Sequence, residues 1–141
     1  MPIEAQIMLA QAATVNANLL SVLGAGWLVR PPEASGIAAL GILISVPRDQ
    51  QGPHMLRVEL LDAEGSPVNL ELEGDARPLA FEDAVFASGR DDVDLPVPLS
   101  VPYAVTLPPF PLNPGQEYRW QLHIDGETQP EWCARFRTTP P

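Results

Sequence analysis

Two histidines, one cysteine and a short acidic run are the side chains of this sequence best equipped for chemistry. His54 and His123 could ligate a metal or trade protons, and Cys133 could act as a nucleophile. Zinc, however, needs three or four nitrogen or sulfur donors converging on one point. Two histidines on separate strands, one thiol and scattered carboxylates have no such spacing, so no metal site is expected. Cys133 shares a row of the last predicted strand with Arg135 and Arg137, which would favour a reactive thiolate. A nucleophile also needs a positioned base and a group to orient that base, and neither can be named. An incidental, half-exposed thiol is the simpler reading, and a lone cysteine excludes an intrachain disulfide.

The run Arg90-Asp91-Asp92-Val93-Asp94 offers carboxylates to a cation such as calcium. A calcium loop of the EF-hand type needs alternating oxygen ligands, a glycine at its sharp turn and a closing glutamate. Only Asp92 and Asp94 alternate and no such continuation follows, so a solvated loop is expected. No G-x-S-x-G elbow, Walker loop or G-x-G-x-x-G fingerprint is present, and no helix start follows the glycines before Trp27. Trp27, Trp120 and Trp132 could stack on sugar rings. Trp120 and Trp132 fall on rows that read as core, leaving Trp27 as a thin platform. No catalytic residue, cofactor or metal is therefore assigned, and a non-enzymatic role is expected.

The net charge of −10, with eight arginines and no lysine, argues against nucleic acid and against an anionic membrane surface, since both must be met by clustered cations. No apolar run is long enough to span a bilayer, and the start of the chain has no basic stretch ahead of its apolar residues. A cytoplasmic location is expected. At 141 residues the chain reads as one domain, residues 1–141, with 45% hydrophobic content to build a core. Seventeen prolines oppose a helical fold and suit the edges and corners of sheets.

The elements that must position these side chains read as nine strands. The first covers residues 4–14, where a helix competes, and turns through Val15 to Asn18. The second runs from Leu19 to Val29 and is broken by Gly24-Ala25-Gly26. The third, Gly36 to Val46, is apolar on both of its rows and should be covered on both faces. A hairpin follows, with Leu56, Val58 and Leu60 inward, a turn at Asp62 to Gly65, and Val68, Leu70 and Leu72 returning. Leu79 to Phe86 is weaker and competes with a short helical turn; a polar loop spans Ser88 to Pro98. The last three strands are Leu99 to Leu107, Glu117 to Asp125 and Trp132 to Thr138.

Between them lies L-x-P-G-x-x-Y, Leu112 to Tyr118, with its turn at Pro114-Gly115. It resembles the tyrosine corner of immunoglobulin-like and fibronectin III-like domains, where the buried hydroxyl bonds upstream backbone. Tyr118, Trp120, Leu122 and Ile124 then share one face, and Asp125-Gly126 supplies a tight hairpin turn. The expected fold is an all-β, immunoglobulin-like β-sandwich of two mainly antiparallel sheets. Four stretches, GAGW at Trp27, VPRDQ from Val46, HMLRVELLDAEGSPV and LPPFPLNPGQEYRWQLHIDGE, span most of the chain. In them it resembles a family of small uncharacterised bacterial proteins with a domain of unknown function. The family implies the fold and no catalytic residues. Arg48 departs from it, where an aromatic residue is usual.

The functional expectation is a protein-interaction or structural subunit, with a small-ligand or carbohydrate-binding module as the alternative. An unidentified protein partner would serve, but the two-faced apolar strand favours a homo-oligomer, in the first place a dimer. Leu40, Ile42 and Ile44 are the candidate interface row, because monomers seldom leave such a patch exposed. The competing cover for that strand is internal, by the Ser88 to Pro98 loop or by the N-terminal segment.

Overall fold

A computed structural model describes residues 2–33, 38–72, 74–88 and 97–141. Gly36 and Ile37, and the acidic run from Arg90 to Asp94, fall outside these residues. The described chain is all-β: β1 (Glu4–Ala10), β2 (Ala12–Asn16), β3 (Leu19–Leu23), β4 (Val29–Arg30), β5 (Ala38–Val46), β6 (Gly52–Asp62), β7 (Asn69–Leu72), β8 (Asp75–Pro78), β9 (Ala80–Ala87), β10 (Leu99–Leu107), β11 (Glu117–Ile124) and β12 (Glu127–Thr138). A single 3-10 turn, Arg48–Gln50, leads into β6. No helix among the described residues is long and apolar enough to cross a membrane.

The twelve strands form four sheets, more pieces than the nine expected. A five-stranded sheet, β4-β12-β11-β6-β9, curls into a half-barrel and faces a three-stranded sheet, β1-β5-β10. Two short hairpins, β2-β3 and β7-β8, are additions to this frame. The two sheets approach each other along both side seams, as β1 runs beside β12 and β10 beside β9. At the second seam the Tyr103 hydroxyl donates to Asp83 Oδ2 at 2.7 Å. Burial and that bond push its pKa up to about 12.

The core follows from alternation. Leu56, Val58 and Leu60 of β6, and Tyr118, Trp120, Leu122 and Ile124 of β11, are all buried against Leu40, Ile42, Ile44 and Val46 of β5. Leu40 and Ile42 are 0% exposed and Ile44 2%, so the row read as an interface lies inside the protomer and offers no surface. Period-two alternation tells which residues share a row, but it does not tell which row turns inward. The opposite row is the one that needed a cover, and the N-terminal hairpin provides it. After a break at Gln11, β2 doubles back over the three-stranded sheet until Asn18 Nδ2 reaches the carbonyl of Ser100 at 3.2 Å. Its turn is Ala17-Asn18, both with positive φ (50° and 58°), the form that fits strand twist.

Gly41 makes that approach feasible. A Cβ built there would sit 2.9 Å from Val22 Cγ1 and 3.3 Å from Leu20 Cδ2, closer than packed carbons tolerate. Leu79 to Phe86, read as a weak strand with a helical turn as its competitor, is strand, shifted by one residue to Ala80–Ala87 and paired antiparallel with β6 from Glu59↔Ala80 to Gly52↔Ala87. The last strand begins at Glu127, five residues earlier than its apolar pattern. Its register slips between Gln121 and His123 of β11. Buried Gln121 ties the slip with Nε2 donating to Thr128 Oγ1 (2.8 Å) and to the carbonyl of Gln129 (2.9 Å).

Candidate functional site

The tyrosine corner forms as its spacing requires. Tyr118 is 4% exposed, its hydroxyl accepts from the Asn113 N–H at 3.1 Å, and its ring stacks on Phe136. Pro114 and Gly115 make the turn, and the Gly115 N–H donates to the carbonyl of Thr139. Thr138 completes the corner: its hydroxyl accepts from Gln116 N–H (3.0 Å) and donates to the Asn113 carbonyl (2.6 Å). All of these bonds close backbone groups, so the motif is architecture. Trp120 is buried at the centre of the core, with Phe81 and Phe110 packed around it.

The histidines are more connected than their sequence positions imply. Asp125 and Gly126 form the expected left-handed turn (φ 53° and 82°) between β11 and β12. The turn carries the Asp125 carboxylate to His54, 71 residues away, with Nδ1 donating to Oδ2 at 2.6 Å. Oδ1 accepts from Met55 N–H at 2.9 Å, and His54 Nε2 donates to the Gln50 carbonyl at 2.8 Å. Both ring nitrogens therefore face acceptors, which favours the imidazolium. The Asp125 bond raises the His54 pKa above its ordinary value, against an opposing effect of burial. Burial pushes Asp125 upward, but the bonds from His54 and the Met55 amide outweigh it and hold the carboxyl below the usual range. With both nitrogens engaged, His54 has none with which to accept a proton from a substrate. It joins the 3-10 turn, the start of β6 and the β11–β12 turn as a clip.

His123 stands on the outer face of the half-barrel, and its Nε2 donates to Glu59 Oε1 at 2.9 Å. Arg57 donates to Glu82 at 2.8 Å, and Arg137 pairs with Glu117 at 3.7 Å. Cys133 lies on the same face, with Sγ donating to the Pro130 carbonyl at 3.4 Å. Neither histidine approaches it in a hydrogen bond, and no three metal-ligating side chains come together among the described residues.

The N-terminal hairpin and the segment after it have a different surface. Leu19 (69%), Leu23 (68%), Leu28 (66%) and Val29 (59%) are widely exposed, and residues 5–29 contain no Asp, Glu, Lys or Arg. The sequence reading missed these residues because it sought the unsatisfied surface on β5. The charge-free run was the available signal. Beside this surface, a cavity of about 280 Å³ opens between Trp27 and Phe110 down to Trp120. A wider, more open cleft of about 620 Å³ lies at the β1–β12 seam.

These features define an all-β protein whose half-barrel carries several ion pairs on its outer face and whose N-terminal hairpin exposes uncharged apolar side chains. No family model, curated protein or solved structure matches the chain.

Proposed function

We propose that this protein is a non-enzymatic interaction or structural subunit that pairs with a second copy of itself through the N-terminal hairpin. The observation carrying this reading is the exposure of Leu19, Leu23, Leu28 and Val29 within the uncharged run 5–29. Two chains of net charge −10 repel each other over most of their surfaces, and this run is where that repulsion is weakest. Among the described residues strand β3 pairs only with β2, which leaves its other edge without a strand partner there. Antiparallel pairing of two β3 edges about a two-fold axis at Ser21 would set Leu19 of each copy opposite Leu23 of the other. Such an isologous contact closes at a dimer, and it covers an edge that would otherwise invite aggregation.

We read the frame as an immunoglobulin-like sandwich elaborated by two hairpins, with the tyrosine corner as support. The kinship with small bacterial proteins of unknown function and the cytoplasmic location are part of the same proposal. Sugar stacking is less favoured. Trp27 donates Nε1–H to the Ala10 carbonyl at 3.0 Å and sets its ring edge-on to Phe136, so it is no flat open platform.

Light scattering at roughly 50 µM, where a micromolar dimer is mostly assembled, tests the reading. The expected mass is that of two chains. Leu19→Asp combined with Leu23→Asp should give a folded monomer with little change in thermal stability. A wild-type monomer at that concentration would sink the proposal.

A further inference from the structure

The cavity beside Trp27 combines a largely apolar, aromatic lining with one arginine. Trp27, Phe110, Trp120 and Phe136 supply aromatic surface, with Ala38 leaving room among them. The rings are already held: Trp27 lies edge-on to Phe136 at 5.4 Å, and Phe110 lies edge-on to Trp120 at 6.2 Å. A volume of about 280 Å³ is at the small end of ligand sites, enough for one or two fused rings and too little for an extended chain.

Arg30 lines the same cavity. Its guanidinium sits 4.9 Å from the Phe110 ring centroid and is clamped by three carbonyls. Nε donates to Pro31 (2.9 Å), and Nη2 donates to Glu33 (2.9 Å) and Phe110 (2.7 Å). Nη1 has no hydrogen bond among the described residues, and no carboxylate pairs with the group in a salt bridge there. Burial lowers its pKa, which nearby Tyr118 and Glu33 only partly offset. A partly desolvated cation with one uncommitted edge, fixed over an aromatic wall, is a preorganised anion receptor.

We propose that this cavity binds a small aromatic carboxylate, with its ring against the aromatic walls and its carboxylate on Arg30 Nη1. The cavity adjoins the proposed dimer surface at Val29 but is built within one chain and needs no second copy, so a failure of either proposal leaves the other standing.

The test uses the side-chain N–H resonances of the three tryptophans during titration with phenylacetate, benzyl alcohol and phenethylamine. Trp27 and Trp120 line the cavity, whereas Trp132 lines the distant seam cleft and serves as an internal control. Phenylacetate should shift Trp27 and Trp120 and leave Trp132 in place. Phenethylamine, the cationic analogue, should bind about tenfold more weakly, the effect of losing a charge-assisted hydrogen bond. Arg30→Gln should remove the preference for phenylacetate over benzyl alcohol, and Ala38→Leu should abolish both by filling the space. The comparison of the three compounds on the wild-type protein stands even if Arg30→Gln does not fold. Three results would each overturn the proposal: no movement of Trp27 and Trp120 at about 1 mM phenylacetate, equal movement of all three tryptophans, or equal affinity for the anion and the cation.

Discussion

The outer face of the half-barrel and the outer face of the N-terminal hairpin are both exposed strand surfaces, yet they are completed differently. On the half-barrel, cross-strand neighbours are polar partners: Arg57 meets Glu82, His123 meets Glu59 and Arg137 meets Glu117. On the hairpin, Leu19 and Leu23 stand outward without partners, in a stretch with no charge at all. Exposed ion pairs contribute little to stability, but they satisfy a surface and keep it wet. An apolar strand face left bare costs the monomer little and is worth keeping chiefly if something covers it. The proposed contact lies on the hairpin, although Phe86 and Met55 are also exposed on the half-barrel.

The contrast breaks most directly at Gly41, where the hairpin rests on β5. Gly41→Leu should drive side-chain carbons into Val22 and Leu20 and cost about 1 to 3 kcal/mol in urea denaturation, the usual range for overpacking. Ala84→Leu on the exposed outer face of β9 should change stability by less than about 0.5 kcal/mol. Equal effects at the two sites would mean that the hairpin does not press on the sheet.

A smaller, pH-dependent difference is expected from the His54–Asp125 clip. His54 is raised above 6.5, so its contribution is complete below that pH and is lost as pH rises through the folded value. Asp125 is lowered below 3.8, so its contribution is present above that pH and is lost as pH falls through the folded value. Melting temperatures of wild type minus His54→Gln should therefore peak between these limits and decline on both sides. Leu19→Asp paired with Leu23→Asp should leave that difference profile unchanged. A flat difference would mean that the clip does not hold the turns together.

The smallest effect is reserved for the charged face. Arg57→Ala should cost under about 1 kcal/mol, less at high salt, because its pair with Glu82 is open to solvent and its contact with Glu59 is long at 3.5 Å. A loss several times larger in chemical denaturation would show that this face does more than stay hydrated.

What was legible in the sequence was local. The corner at Tyr118, the turn at Asp125-Gly126 and the inward row Leu56, Val58, Leu60 each depend on neighbours within a few residues, and each formed. The two covered faces of β5 were legible as well, but the identity of the buried row was not, since Leu40, Ile42 and Ile44 have the same periodicity whichever way they point. Strand β9 was legible only weakly, with a helical turn in competition, because Glu82 and Asp83 are adjacent and break alternation. The start of β12 was hidden because Glu127 to Glu131 holds no apolar residue and is ordered by bonds from Gln121. The His54–Asp125 clip and the Arg30 cavity join residues 71 and 80 positions apart, beyond the reach of any local pattern.

The position of β12 bears on how the protein is made. This strand lies between β4 and β11 and brings Trp132, Ala134 and Phe136 to the core, yet it is translated after both of its neighbours. Strands β9, β6 and β11 can pair with one another without it, but β4 has no place in the sheet until β12 docks. Until then β11 presents an unpaired backbone edge beside the apolar side chains of β5 and β6. An unpaired strand edge beside apolar side chains is where a chaperone or a second chain would engage the partly folded protein.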